Sequence, residues 1–527
     1  MTSTSRDVSE AAAEVAHGVG RFVLGDLIRR SARRFADKVA IYEHDRTTTY
    51  AQLDGGSNQF AHELTDRGLA AGSRIITLCA NSSAYVMVIF GINKAGHVWV
   101  PVNTNLVANE IEFIIRHCEG SLIVIDRALA ERDDVKATLA TLALPLLAID
   151  PQASDPFLGG ISGRPTTEFH MPTHERDLAL IMYTSGTTAK PKGVMHCHLA
   201  VYVTMLNNIG EWSVTREDRI LIGLPLFHCS GHVMVTVLLA AGGSVVLRSG
   251  FDAEDCVDAI TAHRVTMLFA LPRMYDAMLR SARAGGADTS SLRFCIYAMA
   301  PMPKPLLEEL IADFCPQFAL TSGQTEIYPM TVMFRPEQQL KRFGSYWGES
   351  AAINDTAIMD DDGNLLPSGQ VGEIVHRGPN VMLGYYRDPE ATAKVQRFGW
   401  HHTGDLGFFD PDGQLVFADR QKDMIKSGGE NVPSVLVEEV MLRHPAVANA
   451  AVVGLPHPHW IEAVFAFVTL RPGAEADANG LLAHARAHLS GFQVPKGIMI
   501  LEAIPMTASG KCRKSELREE FRDHFAA

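Results

Sequence analysis

Apolar and polar positions follow two alternating rhythms along the first two hundred residues. Over Tyr50 to Leu69, the residues Leu53, Phe60 and Leu64 recur at helical spacings and Gly68 closes the segment, so a helix is predicted. Arg74 to Leu78 predicts a short strand, Ser83 to Lys94 an apolar helix, and Val98 to Val102 a second strand. Leu106 to Cys118 then predicts a helix, Leu122 to Asp126 a strand, and the apolar run Leu178 to Met182 a buried strand. The longest apolar segment, His232 to Leu247, is broken by Gly242-Gly243 and is too short to span a bilayer. It reads as a buried helix leading into a strand, Ser244–Leu247. This βαβα rhythm predicts an α/β protein with stacked, mostly parallel sheets covered by helices.

The rhythm changes near Asp419 to Asp423. Before it, Gly413 to Phe417 predicts a hairpin strand; after it, Ile425 meets Ser427-Gly428-Gly429. Val435 to Arg443 then reads as a helix, Val447 to Val453 and Val464 to Leu470 as strands, and Asn479 to Leu489 as a helix. A chain of 527 residues exceeds one core. The expected division is a large N-terminal domain, residues 1–421, and a small C-terminal α+β domain, residues 422–527. No solenoid-length repeat or low-complexity tract is present, and Gly18-Val19-Gly20 follows no strand and lacks a third fingerprint glycine.

Composition narrows the classes. Hydrophobic residues make up 47% and charged residues 20%, which suits a globular enzyme. The net charge of −13 disfavours a nucleic-acid-binding surface, so any anionic ligand must be held by local donors. Eight cysteines form no C-x-x-C pair, which points to free buried thiols in a reducing cytoplasm. Met1 to Gly20 has no apolar signal core.

Chemistry concentrates in Tyr183 to Gly193, where Thr184, Ser185, Thr187, Thr188, Gly186, Gly193, Lys190 and Lys192 crowd behind the strand. Such a loop offers backbone N–H groups, hydroxyls and positive charge to a phosphate chain. An ordinary turn is the simpler reading of a short Gly/Ser/Thr stretch, and the Walker spacing is absent. The whole stretch resembles the phosphate loop of the adenylate-forming superfamily: acyl-CoA synthetases, aryl-CoA ligases, peptide-synthetase adenylation domains and luciferases. Pro225-Leu226-Phe227-His228, Gly323-Gln324-Thr325-Glu326, His402-Thr403-Gly404-Asp405, Asp419-Arg420 with Gly428-Gly429-Glu430, and Gly510-Lys511 resemble further motifs of that family, in order, over residues 22–525.

The resemblance implies a two-step, ATP-dependent carboxylic acid–CoA ligase. The acid attacks the α-phosphate, giving acyl-AMP and pyrophosphate; the thiol of coenzyme A then takes the acyl group. It also implies residue roles. Lys511 is the catalytic cation, with Thr325 donating to the α-phosphate. Thr184 and Glu326 are the Mg2+ ligands. Ser185, Gly186, Thr187, Thr188 and Lys192 hold the departing phosphates. Ala298, Met299, Ala300, Ser322, Gly323 and Gln324 border the nucleotide, and Asp405 and Arg420 hold the ribose. His228 is the gate, placed positionally among the catalytic residues. His228, Cys229, Ser230, Phe269, Met299, Ala300 and Gly323 line the acyl pocket. Gly428 and Gly429 line the CoA tunnel, and Lys422 is the hinge. The lining carries no lysine, arginine or aspartate, so a medium apolar, aromatic or alicyclic acid is expected.

Four positions depart from the family pattern: Ala189, Ala298 and Met299 stand where glycine is usual, and Ser322 where an aromatic ring is common. His196, His198, His401, His402, His457 and His459 lack ligand spacing and read as solvated or structural. His232 reads as core or pocket lining. No carrier segment follows residue 527, so a stand-alone ligase is expected. Loading a carrier protein in trans is the alternative, with luciferase-like oxidation and a non-catalytic nucleotide-binding regulator as weaker readings. A homodimer is implied by the resemblance alone.

Overall fold

The computed structural model describes residues 21–153, 155–157, 160–169, 173–184, 191–298, 302–342, 344–506 and 512–525. Among these residues the strands assemble into three sheets. A seven-stranded sheet runs in the order Gly384–Tyr385, Lys192–Cys197, Leu178–Thr184, Val98–Pro101, Arg74–Leu78, Leu122–Asp126, Leu146–Ile149. From Leu178–Thr184 onward its pairs are parallel.

A fourteen-stranded sheet has a parallel centre in the order Phe318–Gln324, Phe294–Tyr297, Met267–Ala270, Arg219–Ile222, Ser244–Leu247, Val39–Glu43. Beyond Phe318–Gln324 it turns antiparallel through Ile327–Phe334, Tyr346–Ser350, Leu415–Arg420 and Trp400–Phe409. The parallel order holds where helices cross over between strands. Phe318–Gln324 and Ile327–Phe334 are separated by two residues, which permits only antiparallel pairing.

The helices Ser83–Lys94 and Cys229–Ala241 are apolar on nearly every side, and such helices are buried. They fill the space between the two large sheets. One apolar cluster joins Ile75, Trp99 and Val124 of the first sheet to Ile220, Val245 and Phe269 of the second through Val88, Ile92, Val233 and Val237. Local signals fix the helix starts. Thr49 and Gln52 form a reciprocal capping box at Tyr50–Asp66, and Ser82 Oγ accepts from Tyr85 N at 3.1 Å. Lys94 is buried, and its ammonium is satisfied by Asp54 Oδ1, Ser57 Oγ and Asn58 Oδ1 at 2.5, 2.6 and 2.7 Å.

The third sheet has five strands, with Glu430–Val432, Ile425–Ser427, Ile461–Leu470 and Val447–His457 in order and Gly497–Ile500 beside Ile461–Leu470. The helices Ser434–Leu442 and Ala478–His488 share one apolar cluster with it, through Val437, Met441, Leu481 and Ala485. Leu517 of Lys514–Glu520 joins a second cluster with Phe465 and Phe467. The chain passes from the fourteen-stranded to the five-stranded sheet between Arg420 and Ile425. All eight cysteines are free, seven of them buried, as expected of unpaired core thiols. No helix among the described residues is long and apolar enough to cross a membrane.

Candidate active site

Thr184 and Lys192 stand opposite each other where Leu178–Thr184 pairs with Lys192–Cys197. Ser185, Gly186, Thr187, Thr188 and Ala189 lie outside the described residues, as do Met299, Ala300 and Lys511. The Lys192 ammonium sits 4.8 Å from the centre of the Tyr385 ring. Tyr385 Oη donates to Glu326 Oε1 at 3.0 Å. Burial, reinforced by the Glu326 charge, pushes the Tyr385 phenol well above its usual range, so it stays protonated and remains a donor.

Glu326 occupies the tight turn between Phe318–Gln324 and Ile327–Phe334. Its carbonyl accepts from Met382 N at 2.8 Å, which laces the 380–386 segment onto the hairpin. A carboxylate in this turn, joined through Tyr385 and Lys192 to the strand end carrying Thr184, supplies the hard oxygen donors that Mg2+ favours. Glu326 and Thr184 would hold the ion, and it would supply charge to a phosphate chain.

Thr325 is held by its backbone. His196 Nε2 donates to Thr325 O at 2.6 Å, and burial lowers the His196 pKa to about 4, keeping the ring neutral. Thr325 Oγ1 lies 3.8 Å from Cys229 Sγ, which is 3.6 Å from His228 Nδ1. The hairpin carrying Thr325 therefore meets the first turn of Cys229–Ala241. His228 is the residue before that helix, and its Nδ1 lies 3.1 Å from Ser230 Oγ. Phe269 lies near the end of Met267–Ala270, and Ala298 directly follows the neighbouring strand Phe294–Tyr297. Gly323 lies so close to Pro329 that an added Cβ would stand 2.8 Å from the proline Cβ. Ser322 lies one residue earlier on the same strand, and its carbonyl accepts from Thr331 Oγ1 at 3.1 Å.

Asp405 and Arg420 face each other across an antiparallel pair, with Arg420 Nε 3.5 Å from Asp405 Oδ1. Gln324 Nε2 donates to Asp405 Oδ2 at 3.0 Å and to Thr403 O at 2.9 Å. Gly404 has φ +72°, and its N–H reaches Glu373 Oε1 at 2.8 Å. Glu373 Oε2 takes His402 Nδ1 at 2.6 Å. His196, His198, His401 and His402 are all buried, so of the two readings only the structural one holds for them; His459 is exposed and His457 half-buried. His232 is a core residue bonded to Tyr328 Oη.

At the sheet crossover, Asp423 N and Met424 N both donate to Arg420 O, and Lys422 is exposed within that turn. Gly428 and Gly429 have φ +63° and +90°. Gly428 N donates to Trp460 O at 2.8 Å, and a Cβ there would meet the indole at 2.9 Å. Asp419 is buried and accepts from Ser434 N and Oγ at 2.5 and 2.7 Å. Ser434 Oγ in turn accepts from Lys514, which pairs with Glu438 at 2.7 Å.

Sequence reasoning missed Tyr385 and Glu373 as supports and did not foresee Thr325 as the partner of His196. The doublet Tyr385-Tyr386 behind Gly384 was the available signal for the first; the others carry none. A surface cavity of about 450 Å³ beside Trp212, Arg293 and Arg335 touches none of these site residues.

Comparisons with known proteins identify the family. The family model for AMP-binding enzymes matches residues 28–386, and that for the AMP-binding enzyme C-terminal domain matches residues 436–511. A feruloyl-CoA synthase of Amycolatopsis is 34% identical, over 94% of this chain and 99% of the relative. An indoleacetate–CoA ligase of Aromatoleum aromaticum is 34% identical, over 94% of this chain and 98% of the relative. The crystal structure of ATP-bound MatB from Rhodopseudomonas palustris superposes with a TM-score of 0.87 at 28% identity, covering 95% of this chain and 99% of MatB. The chain therefore belongs to the AMP-binding enzyme family, the adenylate-forming superfamily that includes the acyl-CoA synthetases.

Proposed function

We propose that this enzyme, an ATP-dependent carboxylic acid–CoA ligase, activates an aromatic acid with a largely apolar body. The observation that carries the reading is the connected set Lys192–Tyr385–Glu326 and Gln324–Asp405–Arg420, two polar arms that leave one hairpin on either side of Thr325. One arm suits phosphates and the other a ribose. His228, Cys229, Ser230 and Phe269 include no lysine, arginine or aspartate, and the aromatic acids named for the two relatives are of the expected kind.

In the first step an oxygen of the acid bonds to the α-phosphorus as the bond to the pyrophosphate oxygen breaks. Negative charge spreads over the phosphoryl oxygens, and positioning with electrostatic stabilisation is what a protein can supply there. Thr325 donates to the α-phosphate, Asp405 accepts from the ribose hydroxyls, and Arg420 adds a ribose contact. Lys192, with the hydroxyls of Ser185, Thr187 and Thr188, holds the leaving pyrophosphate. In the second step the CoA sulfur bonds to the acyl carbon and AMP departs. Gly428 and Gly429, without side chains, let the pantetheine arm run against the backbone.

A panel of hydroxycinnamic, indolyl-acetic, medium-chain and dicarboxylic acids, read by AMP release with CoA present, tests the substrate class. The highest kcat/KM is expected for an aromatic monoacid; a preference for the dicarboxylic acid would overturn the reading. Loading of a carrier protein in trans has less support, and CoA-dependent thioester formation in the same assay excludes it as the main activity. The residue 421/422 boundary and a cytoplasmic homodimer are parts of the same proposal.

Lys422 is placed as the pivot for a swing of residues 422–527 between the two steps. Lys422→Pro fixes φ there, and is expected to slow thioester formation at least about 10-fold while adenylation stays within about twofold. Equal slowing of both steps would remove the pivot from this position.

A further inference from the structure

Asn81 lies in the turn between the strand Arg74–Leu78 and the helix Ser83–Lys94, and it is 6% exposed. Its amide belongs to the seven-stranded sheet, yet each bond it makes reaches a loop of the fourteen-stranded one. Nδ2 donates to Leu224 O at 2.8 Å and to Arg248 O at 3.0 Å. Oδ1 accepts from Leu226 N at 2.8 Å. Two carbonyls and one N–H fix which end of the amide is which, and only a primary amide carries that donor and acceptor set on so short a side chain.

The segment it grips, Leu224 to Leu226, leads directly into His228. A second clamp acts from the other side. The Pro225 carbonyl packs on the first turn of Cys229–Ala241, so that a Cβ on Gly231 would stand 2.3 Å from Pro225 O. His228 N donates to that same carbonyl at 3.2 Å. Leu224 O, Pro225 O and Leu226 N are thus each held by a separate contact. The Gln324–Asp405–Arg420 arm takes no part in any of them.

We infer that Asn81 is a positioning residue for the acyl pocket: its amide sets where Pro225 to His228 stand between the two sheets, and so shapes the wall the acid meets. The inference rests on the placement of His228 at that pocket. It separates acid binding from nucleotide binding, which a general loss of stability would not do. Lost positioning at a reacting site costs on the order of 10–100-fold, and the smaller figure suits a pocket wall rather than a reacting group.

The test uses the full-length enzyme with its preferred acid, ATP, Mg2+ and CoA, comparing Asn81→Ala, His228→Ala and the double variant. Asn81→Ala is expected to raise KM for the acid about 10-fold and to leave KM for ATP within about twofold. In the His228→Ala background the same change is expected to raise KM for the acid less than about threefold. A parallel rise in both KM values, or full multiplication of the two single effects where His228→Ala itself raises the acid KM, overturns the inference. If His228→Ala alone is silent while Asn81→Ala still raises only the acid KM, the role of His228 falls and that of Asn81 stands. The reverse pattern removes Asn81 and leaves His228. Gly231→Ala, which presses on Pro225 with Asn81 intact, is expected to reproduce the acid-only rise and serves where Asn81→Ala does not fold.

Discussion

Replacement of Lys511 by alanine is expected to slow acyl-adenylate formation about 10²–10³-fold, the scale of one lost transition-state donor. The reacting phosphoryl group gathers negative charge from two sources, the nucleotide and the incoming carboxylate. Among the described residues near the hairpin, Lys192 is engaged over the Tyr385 ring and Arg420 faces Asp405, so neither is committed to the α-phosphate. Lys511 itself lies outside the described residues, but its neighbours define where its segment is anchored. Arg513 N donates to Pro505 O at 2.8 Å, Met506 pairs with Cys512, and Lys514 is tied to Ser434 and Glu438. The residues on either side of Lys511 thus stand together. Pyrophosphate exchange measures the loss. Thioester formation from preformed acyl-AMP provides the contrast and is expected to keep close to its original rate. Equal losses in the two assays would remove Lys511 from the first step.

Glu326→Gln is expected to lower the adenylation rate on the order of 10²-fold and to raise the Mg2+ concentration needed for half-maximal rate. The substitution is nearly isosteric, and Tyr385 can still donate to the amide oxygen, so the hairpin turn and its backbone bond to Met382 are retained. What disappears is the negative charge that a hard cation requires. Titration of Mg2+ at saturating ATP separates the two effects. An unchanged Mg2+ dependence with a lowered rate would assign Glu326 to the architecture of the turn instead.

Much of the scaffold was legible because its signals are local. Arg74–Leu78, Ser83–Lys94, Leu122–Asp126 and Ser244–Leu247 have the bounds that their apolar patterns predict. The run from Leu178 extends two residues further, to Thr184, because Tyr183 and Thr184 find ladder partners in Gly193 and Lys192. The strand expected from Gly413 begins at Leu415, since Gly413 turns with φ +77°. The antiparallel flank was less visible, as its short strands alternate weakly and its pairs join distant segments. The same distance hides the supporting residues of the site. Asn81 meets residues more than 140 positions away, and His196 meets Thr325 from 129 positions away. A single polar side chain with such partners leaves no periodicity in the sequence.

The bond between Asp419 and Ser434 bears on how the chain moves. Asp419 is the penultimate residue of the last strand of the large sheet, whereas Ser434 opens the first helix of the small unit, and Lys422 lies between them. A carboxylate that accepts two hydrogen bonds holds each by roughly 1.5–3 kcal/mol. Rotation about Lys422 cannot stretch such contacts gradually; they are made or broken. The proposed swing would then be a jump between separate resting positions, with the dwell time in each set by escape from short-range polar bonds, not by the stiffness of the connecting turn.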